Sequence, residues 1–306
     1  VSSRSERWVE SPQRLTLTEP VHRAQIRVVG GTVNVVGLEP AAPPRLEVSA
    51  LDGPPLRVVQ DGGSLTVAYD DVPWQGFLTL LDKLLDGTGR RRSADVTLAV
   101  PASADVRVAV VGADAVVSRI AGRTEIRGVS GGTTLVGLRG PAHAHTVSGS
   151  VEAQGLAGDL TFHSASGTLT VVDGGAGALR ADTVTGDLIV DVSDAQGGAF
   201  PEPVGETGAR EPGSVPGALC LTSVSGEVAI RLPRRPDAVV EAHTGGGSLS
   251  CGFDDLRVGG HWGAKRITGT LGSGRRSVKA TTVSGSIALL RRSPSPTDTP
   301  SFVKDA

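Results

Sequence analysis

The chain has 306 residues, enough to bury a substantial core in one or two domains. Its 30 basic and 32 acidic side chains leave a formal net charge of -2, so no global field draws it to nucleic acid or to an anionic membrane, and no nucleic-acid partner is expected. With 42 glycines and only 3% aromatic residues, the composition favours many tight turns and few bulky anchors, as in repetitive β architectures.

Residues 1–12 carry Arg4, Glu6, Arg7 and Glu10 and lack the apolar run of a secretory signal. A cytoplasmic location is therefore expected, with a surface location reserved for a chain whose leader is missing. Alternating runs at residues 25–28, 31–36, 45–48, 56–59 and 64–69 read as short strands separated by turns at Pro43-Pro44 and Gly53-Pro54-Pro55. Residues 1–102 thus form an N-terminal β region, read as continuous with the repeats that begin at residue 103. Within it, Phe77, Leu78, Leu81, Leu84 and Leu85 fall at helical spacing with Asp82, Lys83 and Asp86 opposite, which predicts a short amphipathic helix over 74–86. Such a helix would cap or brace a β stack. Its net acidic polar face speaks against a membrane anchor built with Arg90, Arg91 and Arg92.

Residues 103–290 are dominated by a repeat. The phrase Val-Ser-Gly-x-Val stands at Val147–Val151, with relatives centred on Gly186, Gly226 and Gly285 and weaker copies on Gly131, Gly167, Gly247 and Gly269. The interval between Gly186 and Gly226 is twice the usual one and holds a Gly/Pro/Ala stretch near 194–217, read as a flexible insertion. Two residues after the central glycine stand Val151, Leu169, Leu188, Val228, Leu249, Leu271 and Ile287, and the residue between is always polar. That alternation is a strand with one face in and one out. A second inward face comes seven residues before the glycine (Ala142, Leu160, Leu179, Leu219, Val240, Trp262, Val278) and five before it (Ala144, Phe162, Ala181, Leu221, Ala242, Ala264, Ala280). Nine before it, a column of Gly140, Gly158, Gly177, Gly217, Ala238 and Gly260 reads as a turn needing positive φ or tight space. The expected fold is a single-chain parallel β-solenoid of coils of about 18–20 residues, stacked at ~4.8 Å with continuous apolar ladders inside. The central glycine falls between two apolar positions read as inward, implying a narrow cross-section at the bend. Residues 291–306 form a Ser/Pro-rich tail, read as disordered, and no apolar window reaches the ~18 residues of a membrane span.

The corner column, four residues before the glycine, reads His145, His163, Asp182, Thr222, His243, Lys265 and Thr281. The first three would stack on consecutive coils, close enough to share a metal, with His143 as an outward neighbour. A solenoid corner tolerates any polar residue, so a solvated ladder is the favoured reading, and no metal, cofactor or catalytic residue is expected. Two cysteines are too few for a disulfide framework or a thiolate zinc site. The register places Cys251 in an inward column and Cys220 in an outward one, so they should not meet. No nucleophile elbow surrounds the serine-rich turns. A carbohydrate-cleaving β-helix would want clustered carboxylates and aromatic platforms, and the chain has one Tyr, five Phe and three Trp.

These phrases resemble the bacterial DUF4097 group, labelled "putative adhesin", whose repeats have the form T-V-S-G-D-V. The resemblance is carried by residues 119–138 (RIAGRTEIRGVSGGTTLVGL), 146–154, 223–232 and 264–290 (AKRITGTLGSGRRSVKATTVSGSIALL), while 28–38 and 71–81 look like the long actinobacterial members. It implies a β-solenoid and, for some relatives, a link to cell-envelope stress or surface association, and it supplies no catalytic residues. Where family copies often carry Asp or Asn in the corner column, this chain has His145, His163 and His243. The leading functional expectation is a non-catalytic scaffold or protein-interaction module, binding other proteins or itself. An exported surface adhesin is the alternative, and a carbohydrate-active β-helix enzyme the second.

Overall fold

The structure, a computed structural model, describes residues 4–17, 19–69, 92–174, 177–193, 217–261 and 263–292. The helix expected over 74–86, most of the insertion near 194–217 and the tail from 293 lie outside these residues. Among the described residues there is no helix. Period-two alternation of Val, Leu and Ile with polar side chains gives twenty-six strands, and they assemble into two long sheets enclosing one apolar core.

The central part is built from coils that each give one strand to either sheet: β9 (Asp105–Val110) and β10 (Asp114–Ser118), β11 (Thr124–Gly128) and β12 (Thr133–Val136), β13 (Ala142–Thr146) and β14 (Val151–Gln154), β15 (Leu160–Ser164) and β16 (Leu169–Gly174), β17 (Leu179–Thr183) and β18 (Leu188–Val192), β19 (Leu219–Ser223) and β20 (Val228–Leu232). Successive coils pair in parallel. Val151, Leu169 and Leu188 are direct neighbours in adjacent rungs, as are Leu160, Leu179 and Leu219. All six are buried. The apolar columns of the repeat are therefore physical ladders in the core.

Both ends depart from sequence order. At the C-terminal end, β21 (Ala238–Thr244) and β22 (Leu249–Cys251) do not follow β19 and β20. The last coil, β25 (Arg276–Thr282) and β26 (Ile287–Arg291), is inserted between them, so that Leu219 sits on Val278 and Val278 on Val240. The copy centred on Gly269 is not a coil. It lies in β24 (Ala264–Leu271), antiparallel to β21 and to β23 (Arg257–His261), and it is Ile267 that stands opposite Ala242. Phe253, Leu256, Ile267 and Leu271 are buried there and close the end of the core. The inward position read for Ala264 and the corner position read for Lys265 are both exposed, because a hairpin strand has replaced the coil.

The N-terminal strands enter the same two sheets. β3 (Arg23–Val28) and β4 (Gly30–Leu38) pair in parallel with β9 and β10 on one side and with β7 (Ser64–Tyr69) and β8 (Ser93–Pro101) on the other. Outside these, β6 (Leu56–Asp61) and β5 (Arg45–Asp52) run antiparallel, followed by β1 (Ser5–Val9) and β2 (Gln13–Thr16). A parallel coil stack is thus terminated by antiparallel strands in both sheets at the N-terminal end and in the first sheet at the C-terminal end, where the second sheet stops on β22, parallel to β26.

The bend between the two strands of a coil explains the T-V-S-G wording. The first residue, Thr or Ser, points inward: Thr183, Ser223, Thr244 and Thr282 are at most 5% exposed. Its hydroxyl accepts the N–H of the central glycine three residues on, for Gly167, Gly186, Gly226, Gly247 and Gly285 at 2.7 to 3.1 Å. The third residue's hydroxyl donates to a carbonyl of the coil beneath, as Ser130 does to Val111 and Ser148 to Val129, both at 3.1 Å. The valine at the second position faces outward, contrary to the inward reading. The glycine is required not by a narrow cross-section but by axial stacking. A Cβ on Gly186 would lie 2.0 Å from the carbonyl oxygen of Gly167, and one on Gly226 2.0 Å from that of Gly186. The second glycine column obeys the same rule, with Gly140, Gly158 and Gly177 each facing a carbonyl oxygen at 2.1 to 2.3 Å.

Beside the end of β18, an ion-pair cluster ties four coils together. The buried Asp191 accepts from Arg231 and, at 2.8 Å, from Arg292, which also reaches Asp173 at 3.1 Å. Asp173 has φ of 52° at a bulge between Val171 and Gly174, a conformation that aspartate tolerates better than most residues. Burial pushes the Asp191 carboxyl up, but its hydrogen bonds to Arg231 and Arg292 outweigh this and hold it below the ordinary carboxylate range.

This packing sets two expected outcomes. Gly186→Ala should cost about 3 kcal/mol, the upper end of the overpacking range, because backbone on both sides must move. Gly155→Ala, where φ is +61° but nothing lies within 4 Å of the new carbon, should cost about 1–2 kcal/mol. Denaturant melts of the two variants check the difference, and equal costs would mean that backbone conformation rather than coil contact selects the glycine. Asp191→Asn should cost about 1–3 kcal/mol at neutral pH. A carboxyl whose pKa is depressed on folding stabilises the fold above its unfolded value of about 3.9 and stops doing so as pH falls through the folded value. The gap in stability between wild type and variant should therefore close in acid below pH ~4, and a gap independent of pH would rule out the ion pairs as its source.

Candidate functional site

The residues singled out from sequence lie on the outer face of the first sheet, the one containing β13, β15 and β17. His145, His163 and Asp182 are cross-strand neighbours on these three strands. The rings of His145 and His163 stack with centroids 5.1 Å apart, and His163 Nδ1 lies 3.4 Å from Asp182 Oδ2. Arg180 Nε donates to the same carboxylate oxygen at 3.0 Å. Burial, and then the charges of His163 and Arg127, hold the His145 imidazole below the ordinary histidine range. The column continues through Thr222, Thr281 and His243.

His143 occupies the neighbouring outward column between Glu125 and Thr161, and its Nε2 is buried without a hydrogen-bond partner among the described residues. Glu125 is engaged by Arg107 at 3.2 Å and Arg127 at 2.7 Å. Glu125 and Asp182 are thus tied to arginines of their own or the adjacent strand, while Glu241 pairs with His243 at 3.0 Å. Among the described residues no three His, Cys, Asp or Glu side chains are disposed to hold a metal ion. The polar groups form a line along an open face, with no convergence on a common reacting point. Cys220 and Cys251 are both free and half-buried, the former between Arg180 and Lys279, the latter beside Leu289.

Two features escaped the sequence reading. Along the bend, Val184, Val224 and Val283 are 50%, 43% and 60% exposed, and they belong to three coils adjacent in space. The N–H of Val283 bonds the carbonyl of Val224 and that of Val224 the carbonyl of Val184. The inserted last coil makes this apolar stripe continuous, since sequence order would have set Gly245 beside Val224. The outer face of the second sheet is also unlike that of the first. Its central column in the C-terminal half reads Thr170, Ile189, Ala229, Ala288 and Ser250, with no charge, and Ile189 is 45% exposed. The signal for both was present in the letters: valine recurs at a position whose flanking residues already fill the inward slots.

No curated protein matches the chain. Three solved structures resemble it at low identity. A "putative adhesin" from Bacteroides fragilis NCTC 9343 is 10% identical, with a TM-score of 0.45 and coverage of 95% of this chain and 97% of that one. A "putative lipid binding protein" from Parabacteroides distasonis ATCC 8503 is 13% identical, with a TM-score of 0.41 and coverage of 92% and 97%. A "putative cell adhesion protein" from Clostridium sporogenes ATCC 15579 is 11% identical, with a TM-score of 0.28 and coverage of 92% and 100%. The family described as Toastrack DUF4097 matches residues 55–290, well over half of the chain, and the protein belongs to that family.

Proposed function

We propose that the protein is a non-catalytic interaction module that presents side chains at coil spacing along the rigid outside of its two sheets. The observation that carries this reading is the continuous stripe of Val184, Val224 and Val283, exposed on three stacked coils, with an uncharged column on the outer face of the second sheet. Exposed apolar side chains set in a row, not scattered, mark a surface that gains free energy by being covered. What supports the non-catalytic part is the dispersal of titratable groups: Glu125 and Asp182 are held by arginines, Glu241 is paired with His243, and His145 stacks on His163.

The test replaces the stripe without touching the core. Val184→Ser, Val224→Ser and Val283→Ser together should leave the melting temperature nearly unchanged, since exposed substitutions usually stay within about 0.5 kcal/mol each. The triple variant should lose the complexes that wild type forms with itself in sedimentation velocity, or with proteins of its own cell in cross-linking. Wild type that stays monomeric at every concentration and cross-links to no protein would end the proposal, and so would a triple variant that keeps every complex.

A further inference from the structure

The end of the first sheet combines an open strand edge with a cluster of cations. Among the described residues the sheet stops at β23, whose five residues, Arg257 to His261, are all exposed. One side of β23 is paired to β24. Its other side presents a row of backbone donors and acceptors with no strand against it among the described residues. Gly259 leaves the strand bare, since a Cβ there would meet nothing within 4 Å. Beside this edge runs a groove of about 650 Å³ whose charged or titratable lining is Arg257, Lys265, Arg266, His243 and His261, without one carboxylate.

Several cations elsewhere on the molecule are held by carboxylates. Arg14 pairs with Glu47, Arg57 with Glu6, Arg180 with Asp182, Arg275 with Asp237, and Arg231 and Arg292 with Asp191. Among the described residues Arg257, Lys265 and Arg266 have no such partner. Glu241, hydrogen-bonded to His243 at 3.0 Å and close enough to feel Arg266, offsets part of this charge, but three cations still leave the groove lining positive beside an open strand edge in a chain of formal net charge -2. Edge strands are commonly protected by charge against pairing with their own kind. Here two copies meeting antiparallel at β23 would bring Arg257 against the His261 end of the other strand, beside both sets of Lys265 and Arg266. Like charge therefore disfavours self-pairing and admits a strand of opposite sign.

We infer that β23 is a docking edge for an acidic peptide segment of another protein, which adds to the first sheet as an extended strand while its carboxylates meet Arg257, Lys265 and Arg266. Main-chain hydrogen bonds supply affinity in this mode, and side-chain charge supplies selection. The inference rests on the interaction-module reading and names a partner class for it, at a different place from the valine stripe. The two fail separately: the serine triple variant must bind the acidic peptide as wild type does.

The probe is a fluorescein-labelled peptide of alternating glutamate and valine, titrated against the full chain by fluorescence anisotropy. Binding is expected, and it should weaken about tenfold or more in the variant carrying Arg257→Gln, Lys265→Gln and Arg266→Gln. It should weaken similarly when alternate amides of the peptide are N-methylated, which needs no change in the protein, and should fall between about 50 mM and about 500 mM NaCl. No binding by wild type overturns the inference, as does equal binding of a lysine-valine peptide or of the N-methylated one. Tighter binding of a single-stranded oligonucleotide of equal charge overturns it as well, by making the groove a general polyanion site.

Discussion

The whole stack depends on how closely one coil can approach the next at the bend. Each central glycine sits with its α-carbon against the carbonyl of the glycine below, closer than any side chain allows. That contact holds only because the buried hydroxyl three residues earlier satisfies the glycine N–H, which would otherwise be stranded in the core at a cost of about 1–3 kcal/mol. Thr183 and Gly186, or Ser223 and Gly226, are therefore one device. The device repeats in the coils of Gly167, Gly186, Gly226, Gly247 and Gly285, so there it locks the register of both flanking strands. From that lock come the unbroken Leu and Val ladders inside and the straight rows of side chains outside.

A stack built this way has a problem at each end, where a parallel rung would face water with open backbone and bare core. The chain answers it at both termini with strands that reverse direction, in both sheets at the N-terminal end and in the first sheet at the C-terminal end. β5, β6, β1 and β2 run antiparallel at one end, β24 and β23 at the other, and Phe253, Leu256, Ile267 and Leu271 seal the core beneath the second. Reversal requires a strand to be laid down and a later one to be slipped in behind it. This is why β7 and β8 lie outside β3 and β4, and why the last coil lies inside β21 and β22. Such pairings are the most non-local in the molecule, so closure of the ends is expected to be slower than stacking of the middle.

The same contrast between middle and ends explains which parts of the fold are legible in the letters. The middle can be read because each coil repeats a period-two pattern, and Leu160, Leu179 and Leu219 declare their shared column without any knowledge of neighbours. The order of the terminal coils cannot, because the ladder is degenerate: Val240 and Val278 are equally good partners for Leu219, and nothing in either residue states which will take the place. The copy around Gly269 misleads for a related reason. Ala264 and Leu271 fit the apolar columns by spacing, yet an uninterrupted strand also satisfies that spacing, and antiparallel pairing with β21 fills the same core volume with Ile267. The corner column is legible in register, with His145, His163 and Asp182 on three adjacent strands. The exposure of Val184 and its neighbours is hidden because hydropathy alone assigns the valine inward and the hydroxyl outward, the reverse of what the glycine N–H demands.

Repetition also limits where selectivity can reside. Along the regular coils every rung offers a partner nearly the same surface, so a ligand can slide by one coil with little change in energy. Rows such as Val184, Val224 and Val283 can supply contact area, but they define register poorly. Among the described residues the ends break the repeat, and there β23 and β24 stand without a counterpart one coil away. At β23 the two glycines, the open edge and the cations without carboxylates coincide at a single place. A partner that must be placed uniquely on a translationally repetitive body has to be fixed by such an end, whatever the flanks add in area.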